Sequence, residues 1–214
     1  MSIRPLFLVP TLLLSSLGLA QDWRTPASPV TWLDQDRWVD ATASAEFAPL
    51  SFDHASAPDL GPFEAWVSAG AGGTFAQAFQ NSVVEQEGIH AKGRVDSLAF
   101  VFGDRAGQSH SGSSLSLRFS VSTRASYHAR GALAASGFLG LSGSRVELLQ
   151  EDGTPIFVRE ATGPDESVTI DQRGLLEPGE YVLELSAGAG GTGQIWNNSA
   201  SFDLALDIRA VGRR

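Results

Sequence analysis

Three tryptophans, Trp23, Trp32 and Trp38, lie close together near the start of a 214-residue chain that has five tryptophans in all. An exposed indole ring stacks on a sugar ring because the two flat, largely apolar faces match, and its N–H group can bond to a hydroxyl. Trp32 and Trp38 are therefore candidate carbohydrate-binding residues. The alternative is structural, because tryptophan side chains are usually well buried and can fill a core or pin a terminal segment to it.

Two carboxylates, Asp34 and Asp36, stand between those tryptophans. Carboxylate oxygens are the ligands that Ca²⁺ prefers, so both residues are candidate calcium ligands. No other cofactor is indicated. The histidines, at positions 54, 90, 110 and 128, lie singly, and no two have the spacing that would place two imidazoles on one strand face for a transition metal.

The local motifs of the common hydrolases are missing from the sequence. It contains no Gly-x-Ser-x-Gly nucleophile turn and no His-Glu-x-x-His zinc motif. A non-catalytic protein is therefore favoured. Two carboxylates brought together only by folding can still hydrolyse a glycoside, so a glycosidase or lyase on a jelly-roll fold stays open as an alternative.

Residues 1–20 have the three parts of a secretory signal peptide: Arg4, an apolar stretch over residues 6–14, and small residues ending at Ala20. The apolar stretch is shorter than the roughly 20 residues that a membrane-spanning helix needs. We expect cleavage before Gln21 and release of a mature protein without a membrane anchor, either into the periplasm or into the medium.

The chain is acidic, with 24 Asp and Glu against 15 Lys and Arg and a net charge of −9. Such a surface repels phosphate backbones and anionic lipids, which argues against nucleic-acid and membrane-surface partners. Cysteine is absent, so no disulfide supports the fold and its stability must come from a buried core. With 43% hydrophobic and 18% charged residues, the composition is that of a globular protein.

Apolar residues recur at every second position from about residue 38 onward, which is the period of a strand with one buried face. The clearest runs are residues 114–122 and 201–209. With the weaker runs they make about ten short strands, which predicts an all-β fold, an antiparallel β-sandwich of the jelly-roll kind. Asp152 and Gly153 stand between two such runs and predict a tight hairpin, because this dipeptide tolerates positive φ.

The same pattern predicts the domain organisation. Residues 21–37 include Pro26 and Pro29 and have little periodicity, so we expect an extended segment that lies across the sandwich. Residues 38–214 form one domain, because a chain of this length is small for two separate cores. The polar stretch at residues 103–113 is expected to be the longest loop.

One heptapeptide, Ser-Ala-Gly-Ala-Gly-Gly-Thr, occurs twice, at residues 68–74 and 186–192. Each copy follows an alternating run. Glycine commonly marks turns and bulges, so flexible connections are the favoured interpretation. Twin ligand-binding loops are the alternative, although neither copy is followed by the lysine of a phosphate-binding loop.

Residues 174–183 read Gly-Leu-Leu-Glu-Pro-Gly-Glu-Tyr-Val-Leu, and residues 200–206 read Ala-Ser-Phe-Asp-Leu-Ala-Leu. This combination resembles a pattern in uncharacterised exported bacterial β-sandwich proteins, which often carry a PEP-CTERM sorting tag. The tag is absent here. The resemblance covers roughly residues 115–210 and implies a fold and export, but it points to no catalytic residue.

The function that these features favour is that of an exported, non-catalytic β-sandwich protein with a structural, adhesive or extracellular-matrix role. Its partner would be polysaccharide or cell-surface material. One alternative is a carbohydrate-binding module that uses Trp32 and Trp38. The other is the glycosidase or lyase described above, which would require two carboxylates facing each other across a concave sheet.

Overall fold

A computed structural model describes residues 28–101, 106–137 and 141–212. The predicted signal peptide at residues 1–20, its cleavage site before Gln21, and Trp23 lie outside the described residues. Within the described ranges every regular element is a β-strand, and no helix has the length and hydropathy of a membrane span.

Twelve strands follow one another in these described ranges, where the sequence predicts about ten. They are β1 (Val30–Ala45), β2 (Ala48–Ser56), β3 (Phe63–Ala71), β4 (Thr74–Glu85), β5 (Gly88–Phe100), β6 (Gly107–Val121), β7 (Ala125–Ser136), β8 (Ser142–Gln150), β9 (Pro155–Thr162), β10 (Glu166–Leu176), β11 (Gly179–Gly193) and β12 (Ile195–Ala210).

The strands form two antiparallel sheets of six, which confirms the predicted β-sandwich. Sheet A has the order β2-β1-β6-β11-β8-β9, and sheet B has the order β10-β7-β12-β5-β4-β3. Strands β5 to β12 form a jelly roll: β5 pairs with β12, β6 with β11, β7 with β10 and β8 with β9, like one long hairpin wrapped round a core. The hairpin β1–β2 widens sheet A beside β6, and the hairpin β3–β4 widens sheet B beside β5.

The core lies between the sheets and follows the predicted alternation. In β6 the inward residues Leu115, Leu117 and Phe119 are buried, and in β12 Phe202 and Leu204 are buried in the same way. Full burial of a side chain of this size stabilises the fold by roughly 1.5–3 kcal/mol relative to leaving it exposed. A continuous core of such residues supports a fold that has no disulfide.

Strand β1 begins at Val30, which corrects the extended segment predicted over residues 21–37. The later part of that segment is paired with β6 as part of sheet A. Two features of β1 make the alternation of inward and outward residues hard to recognise in the sequence. A β-bulge between Trp32 and Asp34 shifts the register by one residue, and an inward position is occupied by a charged residue, Arg37.

Arg37 is only 1% exposed and holds the connection between β2 and β3. Its guanidinium donates to Gln35 Oε1 at 2.8 Å, to Ser82 Oγ at 3.0 Å and to the carbonyl oxygen of Gly61 at 2.8 Å, and it also donates to the carbonyl oxygen of Asp59. Burial lowers the pKa of Arg37, and the charge of Asp59 partly offsets this. These bonds lock the crossover from sheet A to sheet B in place.

The polar stretch at residues 103–113, predicted as a loop, is a strand from Gly107 onward. Strand β6 lies between β1 and β11 in sheet A. Its inward serines are satisfied by hydrogen bonds: Ser109 Oγ lies 2.5 Å from Ser97 Oγ in sheet B, and Ser111 donates to backbone carbonyl oxygens. Because its buried hydroxyls are paired, a polar sequence can occupy the middle of the sheet.

The hairpin predicted at Asp152 and Gly153 joins β8 to β9. Gly153 has a φ of 82°, in the region that glycine tolerates. The Asp152 carboxylate accepts a hydrogen bond from the Thr154 backbone N–H at 2.9 Å, and this bond lowers the pKa of Asp152. The turn therefore has the chemistry that the sequence indicates.

Candidate functional site

Three glycines form a row across the outer face of sheet A. Gly112 in β6 lies opposite Gly188 in β11, and Gly188 lies opposite Gly143 in β8. The residues on either side of Gly143 and Gly188 are buried, so these two glycines hold outward positions, and Gly112 is in the same row but is itself buried. Neighbouring strands are about 4.8 Å apart, so the row extends for about 10 Å across the strands. We call this row the glycine trough.

Packing within the protein does not require glycine at two of these positions. A Cβ atom at Gly188 would have no other atom within 4 Å, and one at Gly143 would make an ordinary contact of 3.4 Å with Thr162 Cγ2. Glycine inside a strand costs roughly 0.5–1 kcal/mol relative to alanine. Such glycines often mark places where a ligand or another backbone approaches closely.

Two side chains from β1 close one end of the glycine trough. A Cβ atom at Gly112 would collide with Asp40 Oδ1 and would lie 2.9 Å from Trp38 Cζ3. Both side chains therefore lie over Gly112, which must be glycine to admit them. Asp40 is the residue directly opposite Gly112 in the β1–β6 ladder.

Strand β2 adds aromatic rings beside Asp40. His54 lies opposite Asp40, and its ring centroid is 6.5 Å from that of Trp38. The Phe52 ring stacks on His54 at 6.2 Å with an interplanar angle of 9°, and Phe52 is 63% exposed. The end of the glycine trough thus combines three rings with one carboxylate.

The carboxylate of Asp40 is held in an unusual environment. In the described part of the chain, Asp40 Oδ1 is buried and has no hydrogen-bond partner. Burial raises the pKa of Asp40, and the nearby His110 and His54 lower it in part. Buried polar groups are nearly always paired, and perturbed carboxyl groups cluster at functional sites.

A recess of 520 Å³ lies beside the glycine trough, towards the next outward pair along the strands, His110 and Gly190. Gly188, Gly190 and Gly143 contribute to its lining, together with His110 on β6 and Leu141 just before β8. The recess therefore offers an imidazole and an apolar side chain around an exposed backbone floor.

The two candidate carbohydrate-binding tryptophans, Trp32 and Trp38, lie in different places in the structure. Trp38 lies at the glycine trough, half-buried on the outer face. Trp32 packs against the core: its ring centroid lies 5.2 Å from that of Phe119, and its Nε1 donates to the carbonyl oxygen of Glu85 at 2.6 Å. Carbohydrate binding by Trp32 stays a prediction.

Asp34 and Asp36 lie further along the outer face of β1. Asp34 is opposite Arg118, and its Oδ1 accepts from the backbone N–H of Gln35 at 2.8 Å. Among the residues that the structure describes, no group of three or more His, Cys, Asp and Glu side chains is placed to hold a metal ion. A calcium site at Asp34 and Asp36 stays a prediction.

The repeated heptapeptide has two different structures. At residues 68–74 it ends β3 and turns into β4, with Gly72 and Gly73 at φ values of 54° and 92°. At residues 186–192 it continues straight through β11 and supplies Gly188 to the glycine trough. One copy is a connection, and the other is part of the site.

The sequence reasoning missed Asp40, His54 and His110 as site residues. They lie on three different strands, β1, β2 and β6, and only the pairing of these strands brings them together. The signal that could have found them is a glycine at an outward position of an alternating run. Gly112 and Gly188 both have this property.

No family model and no curated protein matches this chain. Among solved structures it is similar to the enzymatically active domain of bacteriophage CBA120 tailspike protein 4, with a TM-score of 0.25 and 8% identity over 61% of this chain and 19% of that chain. It is also similar to a structure of infectious bursal disease virus Gx strain, with a TM-score of 0.26 and 10% identity over 82% of this chain and 57% of that chain. The chain thus spans less than two thirds of either neighbour, and likenesses at these scores carry no argument about function.

Proposed function

We propose that this chain is an exported, non-catalytic adhesive protein that binds a polysaccharide in the glycine trough. The observation that carries the proposal is a floor without side chains that ends at Trp38, Asp40 and His54. Sugar rings stack on aromatic faces, and their hydroxyl groups bond to carboxylates and imidazoles. The floor lets a flat ring approach the backbone while its edge reaches those groups.

The position of the glycine trough favours a sugar over an extended peptide. Peptides that bind sheets add a strand at an edge, where unpaired backbone groups give the affinity. Strands β6, β11 and β8 each have a paired neighbour on both sides, so their backbone groups are used within the sheet. A ligand on this face must be held by ring stacking and by side-chain hydrogen bonds.

The charge of the face favours a neutral or amino-bearing polysaccharide. Asp36, Asp40 and Glu184 all lie outward on sheet A. The cations on this face are engaged: Arg118 pairs with two glutamates, at 2.6 Å and 3.0 Å, and Arg145 pairs with Glu147 at 2.7 Å. Sulfated and uronic-acid polysaccharides would meet net repulsion.

Affinity gel electrophoresis tests the proposal. The protein is run through gels that contain laminarin, hydroxyethylcellulose, galactomannan or xylan, and through gels that contain alginate as the acidic comparison. We expect at least one neutral polysaccharide to retard the protein, alginate to have no effect, and Gly188→Val to weaken the retardation by about tenfold or more. A protein that none of the gels retards would contradict the proposal.

The same polysaccharides test the non-catalytic part of the proposal. Incubation with the bound polysaccharide should release no reducing ends above a protein-free control. Release of reducing ends that Asp40→Asn removes would replace binding by hydrolysis as the function.

Export is tested on protein made from the full-length gene in a secreting bacterial host. We expect the protein in the periplasm or the medium, with Gln21 as its first residue by N-terminal sequencing. Retention of residues 1–20 on a cytoplasmic product would contradict export.

A further inference from the structure

A second aromatic site lies on the outer face of sheet B. Trp66 in β3 is 62% exposed and lies opposite Phe79 in β4, with the two ring centroids 6.1 Å apart. Phe79 in turn lies opposite Arg94 in β5. Such an exposed indole, supported from the side by another ring, presents a fixed flat surface to a ligand.

A polar row follows the aromatic pair along the strands. Gln77 in β4 lies opposite Asp96 in β5, and Gln77 Nε2 donates to Asp96 Oδ2 at 2.9 Å. Arg94 donates two hydrogen bonds to the same carboxylate, from Nε to Oδ2 at 3.0 Å and from Nη2 to Oδ1 at 3.1 Å. Asp96 thereby orients an amide and a guanidinium beside the Trp66–Phe79 pair, where they can bond to hydroxyl groups.

A further apolar row lies beyond the polar one. Phe75 and Leu98 are opposite each other in β4 and β5, and both are exposed. Phe75 and Phe79 are four residues apart on one strand face, which is about 13 Å. Apolar surface, a hydrogen-bonding row and apolar surface thus follow one another along the face, and this order suits a chain of sugar rings with apolar faces and hydroxyl edges.

We propose that this face of Trp66, Phe79, Gln77 and Arg94 is a second polysaccharide-binding surface, so that one molecule cross-links two polysaccharide chains. This rests on the function proposed for the glycine trough. The two surfaces lie on the outer faces of opposite sheets, which point away from each other across a core about 10 Å thick. One chain cannot occupy both without wrapping round the molecule, so two chains are held.

The four proteins to compare are the wild type, Trp66→Ala, Gly188→Val and the double variant. Leu175→Ala is the matched control, because Leu175 is also exposed on sheet B, at 49%, but lies on the opposite edge strand β10. Gln77→Ala is a second variant that removes the amide of the polar row without removing the Trp66 ring. Melting temperatures show which variants are folded.

Two readouts separate binding from cross-linking: gel retardation and turbidity, both with laminarin, hydroxyethylcellulose, galactomannan and xylan. We expect the wild type and Leu175→Ala to give both signals. Trp66→Ala and Gly188→Val should each still be retarded, about tenfold more weakly, and should give no turbidity. Gln77→Ala should also lower the turbidity, as Trp66→Ala does.

Each remaining outcome decides between the two proposals. Wild-type turbidity from folded Trp66→Ala overturns the second surface and leaves the glycine trough. Wild-type retardation of Gly188→Val, with all retardation lost in Trp66→Ala, overturns the trough and leaves the sheet B face as the binding site, without cross-linking. No retardation of the wild type by any of the four polysaccharides overturns both.

Discussion

Replacing Gly188 by valine places a branched side chain on the floor of the glycine trough. Because a Cβ atom there meets no atom within 4 Å, the fold has room for it. Removing glycine from a strand gains about 0.5–1 kcal/mol, and valine also has a high β-propensity. In a domain of this size about 1 kcal/mol corresponds to 2–4 °C, so we expect the melting temperature to rise by about 1–4 °C.

Polysaccharide binding should change in the opposite direction. The valine side chain occupies the space through which a sugar ring would approach the backbone between Gly112 and Gly143. We expect retention in affinity gels to fall by about tenfold or more, which is a loss of about 1.4 kcal/mol of binding free energy. Few substitutions that raise stability on a surface strand also remove binding, so the combination identifies a site.

Two control variants make the test specific. Gly93→Ala makes a similar change on the inner face of β5, where a Cβ atom would collide with the Phe202 ring and lie 2.7 Å from Ser113 Oγ. We expect it to cost about 1–3 kcal/mol by overpacking. Ser167→Val puts valine on the outer face of β10, away from either proposed surface, and should leave binding unchanged.

Differential scanning calorimetry and affinity gels on the same samples decide the outcome. A Gly188→Val protein that melts higher and binds as the wild type does would refute the trough as the binding site. One that melts several degrees lower would refute the premise that Gly188 has no internal packing role.

Further expected outcomes concern Arg37, Asp40 and Gly112. Arg37→Met leaves the buried acceptors around the guanidinium unpaired and should cost about 3–5 kcal/mol in urea unfolding, and a loss below about 1 kcal/mol would contradict its locking role. Because burial raises the pKa of Asp40, its stabilising effect is present below the unfolded pKa of about 3.9 and is lost as pH rises through the folded pKa. Asp40→Asn should therefore raise the melting temperature at pH 7 and not at pH 3.5, whereas an equal shift at both pH values would contradict this. Gly112→Ala should displace Trp38 and Asp40, weaken polysaccharide retention and change tryptophan fluorescence, and an unchanged spectrum would show that the two side chains do not lie over Gly112.

The sequence alone determined the architecture, because the signals that predict it, the alternation of apolar residues and the turn dipeptide, are local. Alternation at residues 114–122 and 201–209 predicts strands, and both runs are parts of the central strands β6 and β12. The Asp152–Gly153 turn is equally local, since positive φ at Gly153 is a property of the dipeptide. The polar start of β6 was hidden because its buried serines are satisfied by hydrogen bonds to residues on other strands, such as Ser97 in β5 and Ala189 in β11.

Only the tertiary structure decided which residues share a face. In a regular strand, Trp32 and Trp38 would point the same way, because they are an even number of residues apart. The bulge between Trp32 and Asp34 breaks that parity, so Trp32 turns into the core while Trp38 stays outside. A bulge depends on how the partner strand pairs, and the tryptophan spacing does not encode it.

The glycine trough also depends on how the strands pair. Gly112, Gly143 and Gly188 come from strands far apart in the chain, and only the register of β6, β11 and β8 brings them into one row. The repeated heptapeptide makes the reason plain: the copy at residues 186–192 is held straight by a strand on either side, and the copy at residues 68–74 turns at the end of an edge strand. Local sequence determines which residues can form a strand, and the neighbouring strands determine what that strand presents to a ligand.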